Sequence, residues 1–579
     1  MDKPILFDGA FGTYYYRKTG DANPCELANL DNPRAVLEIH REYIAAGADA
    51  IKTNTFASNP ANYDGGKLSA ILAKGYETAL AAARGTAAAV YADIGNIACE
   101  DPADLPGMYE RAARVFIGLG AENFLFETLA EFEPVIPALE AIGRAVQNPR
   151  VLVSFAVSQD GYTQKGLYYK ALIGLAAAHP AVSFTGLNCV CGPTHLLHLV
   201  KELGKTAKSL SVMPNSGYPS TLNGRLIFED NARYFAEKIR QLYDSGAQIL
   251  GGCCGTTPLH IELSRAELSK SAAGPGAIAR DKPAGPGPAK KSAGRLKPKP
   301  LFIEIQPPTD SAGDFLDFAR DQISRVRESV SGADCAFTFT DSPLAKARAD
   351  SMMTAARLRA ETGADVMPHL TCRDKNHIAI KAALLGAAMF GIGEILAVTG
   401  DPIFNSPQKK AGVFDFNSLE LIAYLNSLNR EVFPRHPFVI GAALNVNARN
   451  FAAELERGRK KAENGARRLF TQPICSPEAI QNFKTARREL DCELIAGVLP
   501  FAGYKNALFL NNEVAGITIP QSVIDAIRDK PPQEVYDISV EFCAGIIAEV
   551  YEHADGFYIT TPLKKTELTL KLITSCFDF

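Results

Sequence analysis

AAGADAIKTNT (residues 45–55) decides the fold: a helix-like run ending in Gly-Ala, then an apolar run, then small and polar residues. The phrase recurs as GLGAENFLFET (118–128), DSGAQILGGCCG (244–255), TGADVMPHLTC (362–372) and NGARRLFTQP (464–473). Glycine suits the left-handed position that ends a helix, and a short apolar run without polar alternation suits a parallel strand buried on both faces. The repeating unit is therefore helix then strand. Working outward, strands are expected to begin near Ile5, Ala50, Ala89, Asn123, Val151, Ser183, Leu210 and Gln248. A second set is expected near Leu301, Cys335, Asp365, Glu394, Phe438, Arg468, Glu493 and Gly556. Eight and eight predict an α/β chain of two (βα)8 TIM barrels, with an open doubly wound sheet as the alternative.

The composition fits. The 579 residues carry 61 Lys+Arg against 64 Asp+Glu, a net charge of −3, and are 22% charged and 47% hydrophobic. Disordered, collagen-like and heavily nucleic-acid-coating classes are set aside. Met1-Asp2-Lys3-Pro4 has no apolar run behind it, and the stretch from Ala382 to Gly393 is Gly-broken and short of the roughly 20 apolar residues a span needs. A soluble, cytoplasmic protein with no membrane contact is expected. Twelve Cys, two of them adjacent at Cys253-Cys254, read as reduced thiols or metal ligands rather than a disulfide scaffold. Ser269 to Pro300 is Ala/Gly/Pro/Lys-rich, with eight Lys/Arg and one acid, and reads as a linker. It lacks interleaved aromatics and its flanks are not basic, so no nucleic-acid partner is expected. The expected domains are 1–268 and 301–579, joined by the Pro/Gly/Lys-rich linker 269–300.

Barrel chemistry sits where strands end and the following loops begin. Asp8, Asn54, Glu127, Cys189, Asn215 and Cys253-Cys254 close expected strands of the first barrel; Glu304, His369, Asp401 and Gln472 do so in the second. Successive strand residues face opposite ways, so Cys253 and Cys254 converge only if the backbone leaves strand geometry, which Gly251, Gly252 and Gly255 permit. Cys189 closes another strand, with Cys191 two residues on. Three rim thiols suit Zn²⁺ with one open position; the bland reading is three buried small hydrophobes.

FDGAFGT (7–13), IHREYIAAGADAIKTNTF (39–56), FET (126–128), GLNC (186–189), MPNSG (213–217) and GGCCGTT (251–257) together resemble the homocysteine S-methyltransferase family across residues 1–268. The resemblance implies Zn²⁺ held by Cys189, Cys253 and Cys254 with homocysteine sulfur in the fourth position. It also implies Asp8 and Glu127 near the substrate amino group, with Asn215 among the homocysteine-binding positions. Cys191 falls outside the family's ligand pattern and is left as a bystander. Zinc makes a coordinated thiol a thiolate outright, whereas a free thiol with a pKa near ~8.5 is mostly protonated at neutral pH.

In the second half, FIEIQPP (302–308), PHLTCRD (368–374), LAVTGDP (396–402), RKKAENGARRLFTQP (459–473), GVLPFAGYKN (497–506) and ADGFYITTP (554–562) resemble methylenetetrahydrofolate reductase over nearly all of 301–579. No G-x-G-x-x-G follows a strand, so a Rossmann nucleotide fold is not indicated. The resemblance implies FAD at the barrel rim and reduction of 5,10-methylenetetrahydrofolate to 5-methyltetrahydrofolate. Glu304 matches the general acid that opens the imidazolidine ring, and Asp401 the carboxylate beside flavin and pterin. His369, Thr371 and Lys461 match flavin-binding positions. Gln472 matches a folate-binding glutamine, and Tyr504 sits where the family commonly has a substrate-stacking Phe. VNARN, after AALN (442–445), lacks the Pro and His usual there, which bears on contacts to the adenine end of FAD.

Both halves point to one-carbon metabolism with small-molecule substrates, homocysteine and methylenetetrahydrofolate. The electron donor, reduced nicotinamide or another, is open. So is the methyl donor: methyltetrahydrofolate, through a separate corrinoid protein or directly, or a sulfonium such as S-methylmethionine or S-adenosylmethionine. A reading from a different class makes the second barrel a non-catalytic folate-sensing module.

Overall fold

The computed structural model describes residues 4–579 except 100, 223–224, 229–230, 271–294, 310–313, 402–411, 449 and 515–516. It divides into two compact units, the first on residues 4–270 together with 512–514, the second on the rest.

In the first unit the strands are β1 (Ile5–Leu6), β2 (Ala50–Lys52), β3 (Ala89–Gly95), β4 (Asn123–Leu129), β5 (Arg150–Phe155), β6 (Phe184–Asn188), β7 (Ser209–Met213), the hairpin strands β8 (Ser220–Leu222) and β9 (Arg225–Ile227), and β10 (Ala247–Leu250). The parallel sheet runs β1-β10-β7-β6-β5-β4-β3-β2. A single parallel bridge between Phe7 and Ala50 brings its ends together, completing an eight-stranded barrel. The antiparallel β8-β9 hairpin is an insertion the sequence reading missed.

The second unit contains β11 (Leu301–Ile305), β12 (Cys335–Phe339), β13 (Asp365–Thr371), β14 (Glu394–Val398), β15 (Val439–Leu444), β16 (Arg468–Pro473), β17 (Glu493–Val498) and β18 (Gly556–Thr560). They form a closed parallel barrel in sequence order. The open-sheet alternative is thereby excluded for both halves. Of the expected linker, 271–294 lie outside the described residues. Leu296 bridges to Phe577, and Lys299 Nζ donates to the carbonyls of Tyr551 and Ala554 at 2.8 and 2.6 Å, so 295–300 fold with the second unit.

The helix-ending glycines do what the repeat requires: Gly47, Gly120, Gly246, Gly363 and Gly465 all have positive φ, between 64° and 115°. Each strand begins within a residue of its expected start because burial on both faces forces a continuous apolar run. Side-chain alternation then sets what points inward. In the first barrel Phe7, Ala50, Tyr91, Leu125, Leu152, Met213 and Ile249 fill the interior, so two residues further along their strands Lys52, Asp93, Glu127 and Ser154 also face in. In the second, Phe302, Ala336, Met367, Phe470 and Tyr558 fill it, which turns Glu304, Thr338 and His369 inward by the same count, while the register of β16 shifts between Phe470 and Pro473, where Gln472 lies. Among the described residues no helix is long and apolar enough to cross a membrane.

Candidate active sites at the two barrel rims

Sheet order assembles the first site. Cys253 and Cys254 follow β10, Cys189 follows β6, and β7 lies between them. The loop after β7 ties the two carriers together. Cys189 N donates to Met213 O at 3.0 Å, Cys253 N to Pro214 O at 2.8 Å, and Ser216 N to Cys254 O at 3.0 Å. Cys189 and Val190 both sit at φ 62°, a left-handed conformation costly for a non-glycine and more so for a β-branched residue. The turn aims the Cys189 thiol back at the pair. The three Sγ atoms lie within 4.8 Å of one another, and Cys189 and Cys254 are 3.8 Å apart. Two thiolates about 2.3 Å from one tetrahedral zinc stand about 3.8 Å apart, so the donor set fits that ion.

The glycines act differently from expectation. Only Gly255 takes positive φ, at 81°. Gly251 and Gly252 instead allow close approach: a Cβ on Gly251 would lie 2.8 Å from Phe7 Cβ, and one on Gly252 would run into Thr256. Cys191 is fully buried and its thiol donates to Val157 O at 3.3 Å, outside the trio.

The thiols share one cavity of about 420 Å³ with Asp8, Lys52, Asn54, Asp93 and Glu127. Lys52 Nζ pairs with Asp8 at 2.9 Å, and Asp8 also accepts from Lys52 N at 3.0 Å. Burial raises the Asp8 pKa, with Lys52 opposing it. Burial alone would lower Lys52, but the carboxylates of Asp8 and Glu127 outweigh it and hold the ammonium form. Glu127, raised by burial, accepts from Asn188 Nδ2 at 2.9 Å. Asn188 in turn accepts from Thr128 N at 2.9 Å, where Thr128 itself takes φ 61°.

Asp93 went unnoticed in the sequence. It is 2% exposed, its backbone N donates to Thr53 Oγ1 at 2.9 Å, and its Oδ1 has no hydrogen-bond partner. Burial, then repulsion from Glu127, raises its pKa strongly. The one available signal was an acid two residues beyond inward-facing Tyr91. Asn215 is buried with Oδ1 unpartnered, and its N donates to Cys191 O at 3.0 Å, but it does not line the cavity. Asn54 Nδ2 donates to Cys25 O at 2.7 Å and to Asn29 Oδ1 at 3.0 Å, so it braces the wall.

The second rim is built of hydroxyls. Glu304 on β11 stands in register with Thr338 on β12 and Thr560 on β18. Its Oε2 accepts from Tyr558 at 2.6 Å. Burial raises its pKa, with Tyr558 and then Arg348 opposing. His369 is held low, to about 4, by burial. Thr371 N and Oγ1 donate to Asp341 Oδ2 at 3.1 and 2.9 Å, and Lys375 Nζ pairs with the same oxygen at 3.0 Å. Lys461 is buried, its Nζ donating to Ala443 O at 2.6 Å, and burial lowers its pKa. Asp401 and Gln472 are exposed at the rim, and Tyr504 opens the helix Tyr504–Glu513 with the Arg528 guanidinium 5.7 Å from its ring centre. The buried Thr340 hydroxyl and the Arg348 Nε have no protein partner, which leaves polar groups at this rim free for a bound cofactor or substrate.

Two parallel barrels, each with its unusual side chains gathered at the C-terminal rim, define an enzyme with two catalytic domains. Residues 5–268 match the homocysteine S-methyltransferase family and residues 303–576 match methylenetetrahydrofolate reductase. The chain is a fusion of one domain from each of these enzyme families. A homocysteine S-methyltransferase of Escherichia coli is 26% identical over 298 residues, covering 45% of this chain and 94% of that protein. A methionine synthase of Mycobacterium tuberculosis is 30% identical over 292 residues, covering 44% of this chain but only 24% of that protein. The solved oxidised form of the E. coli homocysteine methyltransferase MmuM is 23% identical, with a TM-score of 0.39, covering 46% of this chain and 96% of that one.

Proposed function

We propose that the first barrel transfers a methyl group to homocysteine at a zinc site formed by Cys189, Cys253 and Cys254, and that the second reduces 5,10-methylenetetrahydrofolate with FAD. The observation that carries the first half is the trio of thiols, with a 3.8 Å sulfur pair, sharing a cavity with four carboxyl groups (Asp8, Glu26, Asp93 and Glu127) and one lysine. Zinc bound there would keep a fourth, substrate thiol deprotonated at neutral pH. Lys52 is committed to Asp8. Asp93 and Glu127 are two further buried acids that share the field of that one lysine, and burial raises both, so the group carries more acids than cations and favours another cation. The α-ammonium of homocysteine is that cation. Asn188 and Thr128 hold Glu127 toward it.

In the second barrel, Glu304 is the proton donor. Breaking the ring C–N bond puts an electron pair on the leaving nitrogen, which needs a proton, and a carboxyl raised by burial keeps its proton to higher pH than a free one. Flavin bound at this rim and reduced by the electron donor would supply the hydride for the iminium carbon. Thr371, His369, Asp401 and Lys461 are the flavin-side residues, Gln472 and Tyr504 the folate-side ones. Two classes of methyl donor fit the first barrel: methyltetrahydrofolate, taken directly or through a separate corrinoid protein, and a sulfonium.

Metal analysis and flavin absorbance on one purified sample test both halves. About one zinc per chain is expected, with a bound flavin that bleaches on reduction and recovers when methylenetetrahydrofolate is added. A flavin that stays reduced would leave the second barrel a folate-sensing module, and protein without zinc would end the metal assignment.

A further inference from the structure

Tyr558 has more polar company than core packing requires. Its ring belongs to the apolar floor of the second barrel with Phe302, Met367 and Phe470. Its hydroxyl, however, receives a hydrogen bond from Thr338 Oγ1 at 3.1 Å, donates to Glu304 Oε2 at 2.6 Å and stands 3.3 Å from His369 Nε2. A phenol owns one hydrogen. Thr338 occupies a lone pair, Glu304 is much the nearer acceptor, and β11 fixes Glu304 in register with Thr338, so that hydrogen is directed at Oε2.

The consequence concerns the other carboxyl oxygen. A carboxylic acid whose Oε2 accepts a hydrogen bond keeps its own proton on Oε1. We propose that Tyr558 is a positioning residue for the folate step: it holds the transferable proton of Glu304 on Oε1 and steadies the carboxylate left when that proton has gone. The inference rests on Glu304 being the acid of that step. During ring opening the proton leaves Oε1 for the nitrogen, the electron pair of the breaking C–N bond stays on that nitrogen, and the negative charge left on Glu304 is met by the Tyr558 hydroxyl. A hydrogen bond to a charged group is worth more than one to a neutral group, so Tyr558 favours the product side of the transfer.

The other groups facing Glu304 act differently. Arg348, on the segment after β12, also favours the carboxylate, but its charge acts on both oxygens and selects neither. His369 on β13 is neutral near pH 7, burial having lowered it to about 4, and Thr338 on β12 is not titratable in this range. Among the described residues, the phenol is the group hydrogen-bonded to one particular oxygen of Glu304, Oε2. Its cost is a buried hydroxyl that tyrosine brings and phenylalanine, otherwise suited to the same apolar floor, does not.

The test is Tyr558→Phe in the flavoprotein, followed by the pH dependence of kcat/KM for methylenetetrahydrofolate. Turnover should fall about 10- to 100-fold on the plateau. The alkaline limb, set by loss of the Glu304 proton, should move up by about one pH unit, because a group that favours the carboxylate has been removed. Flavin content and flavin reduction by the electron donor should not change. Isotope-edited infrared of the same protein reads Glu304 without turnover, and its protonated-carboxyl band should persist to higher pH in the variant. A slower enzyme with the limb and the band at wild-type pH would reduce Tyr558 to packing and overturn the inference. If Tyr558→Phe fails to fold, Thr338→Val keeps the tyrosine and removes the donor that orders its hydroxyl; a smaller loss with an altered limb is expected, and an unaltered profile overturns the inference as well. Glu304→Gln separates the two claims: turnover near wild type in that variant defeats the acid assignment itself, whereas an inactive Glu304→Gln beside an unaltered Tyr558→Phe profile defeats only the role of Tyr558.

Discussion

The two rims solve opposite problems with the same barrel. The first converges on a point: three thiols from two strands within 4.8 Å, with backbone forced to positive φ at Cys189, Val190 and Thr128 to bring them and Glu127 into place. The second works along an arc, placing Glu304 and His369 on ordinary strand positions of the same inward parity, with Gln472 at a register shift near the end of β16. A single ion needs ligands within a few ångströms, which strand geometry alone does not supply. A planar ring system takes contacts spread along a rim, and Glu304 and His369 supply theirs from strand positions, although Ser342, Ala345, Leu563 and Lys564 in the loops beside that rim do take positive φ. Left-handed backbone therefore falls on a ligand-bearing residue at the first site and on the flanking loops at the second.

The largest effect should come from breaking the point. Cys253→Ala or Cys254→Ala should remove zinc and take methyl transfer to background while folate reduction continues, because among the described residues Cys189, Cys253 and Cys254 alone form a metal-holding cluster, Cys25 lining the same cavity outside it. Metal analysis checks it; undiminished zinc in both variants would reduce the cysteines to buried small residues.

Breaking the arc should cost less, because its residues share the work. Glu304→Gln keeps the shape and removes the proton, and losing general acid catalysis costs 10²–10⁴-fold. Stopped-flow flavin reduction by the electron donor should stay at wild-type rate, and methyl transfer should be untouched. The wild-type reductase carries a pH signature of the same group. Glu304 is raised by burial, so its acid form, and with it kcat/KM, is fully present at low pH and is lost as pH rises through that raised pKa.

Asp93 sharpens the contrast between charge and shape in the first rim. Asp93→Asn should raise KM for homocysteine about tenfold with a smaller change in kcat, since a hydrogen bond to a charged group is lost far from the sulfur. Steady-state kinetics with the des-amino thiol as comparison decide it. An equal penalty on both thiols would mean that Asp93 supports the barrel rather than the ammonium.

How much of this was legible follows the same division. Strand starts were readable because burial on both faces leaves an unbroken apolar run, and the thiol trio was readable because adjacent cysteines beside glycines have few structural uses. Asp93 was hidden inside AVYADIG, where an acid in an apolar run looks like a strand end, and only the inward parity of Tyr91 exposes it. Lys52 was likewise hidden: its partner Asp8 is 44 residues earlier and meets it only once Phe7 and Ala50 are bridged. Tyr558 lies in GFYIT, an apolar strand in which its ring alone justifies its presence. The β8-β9 hairpin was missed because a short antiparallel insertion leaves the helix-then-strand rhythm on either side undisturbed.

The smallest effect tests whether the strain in the first rim serves the metal. Val190 at φ 62° costs on the order of 1–2 kcal/mol for a residue with a Cβ branch. Val190→Gly removes that cost but loosens the unfolded chain by about 0.5–1 kcal/mol and gives up a partly buried side chain packed on the barrel core. These contributions nearly cancel, so the melting temperature should move by no more than about 2–4 °C, the shift of about 1 kcal/mol in a domain of this size. Zinc affinity should respond differently. Cys189 N is pinned to Met213 O, but its side-chain direction depends on the two consecutive left-handed residues, and a glycine at 190 lets the second of them relax. Supporting changes of this kind cost about 10–100-fold in metal affinity, and the lower end is expected because Cys253 and Cys254 are untouched. Competition with a chromophoric chelator measures it alongside the thermal melt. A variant that gains the whole strain energy in stability and binds zinc as well as wild type would show that the left-handed pair is a tolerated accident of the chain's exit from β6, and the contrast between a site with its ligand on left-handed backbone and one with its side chains on strands would fail at its clearest residue.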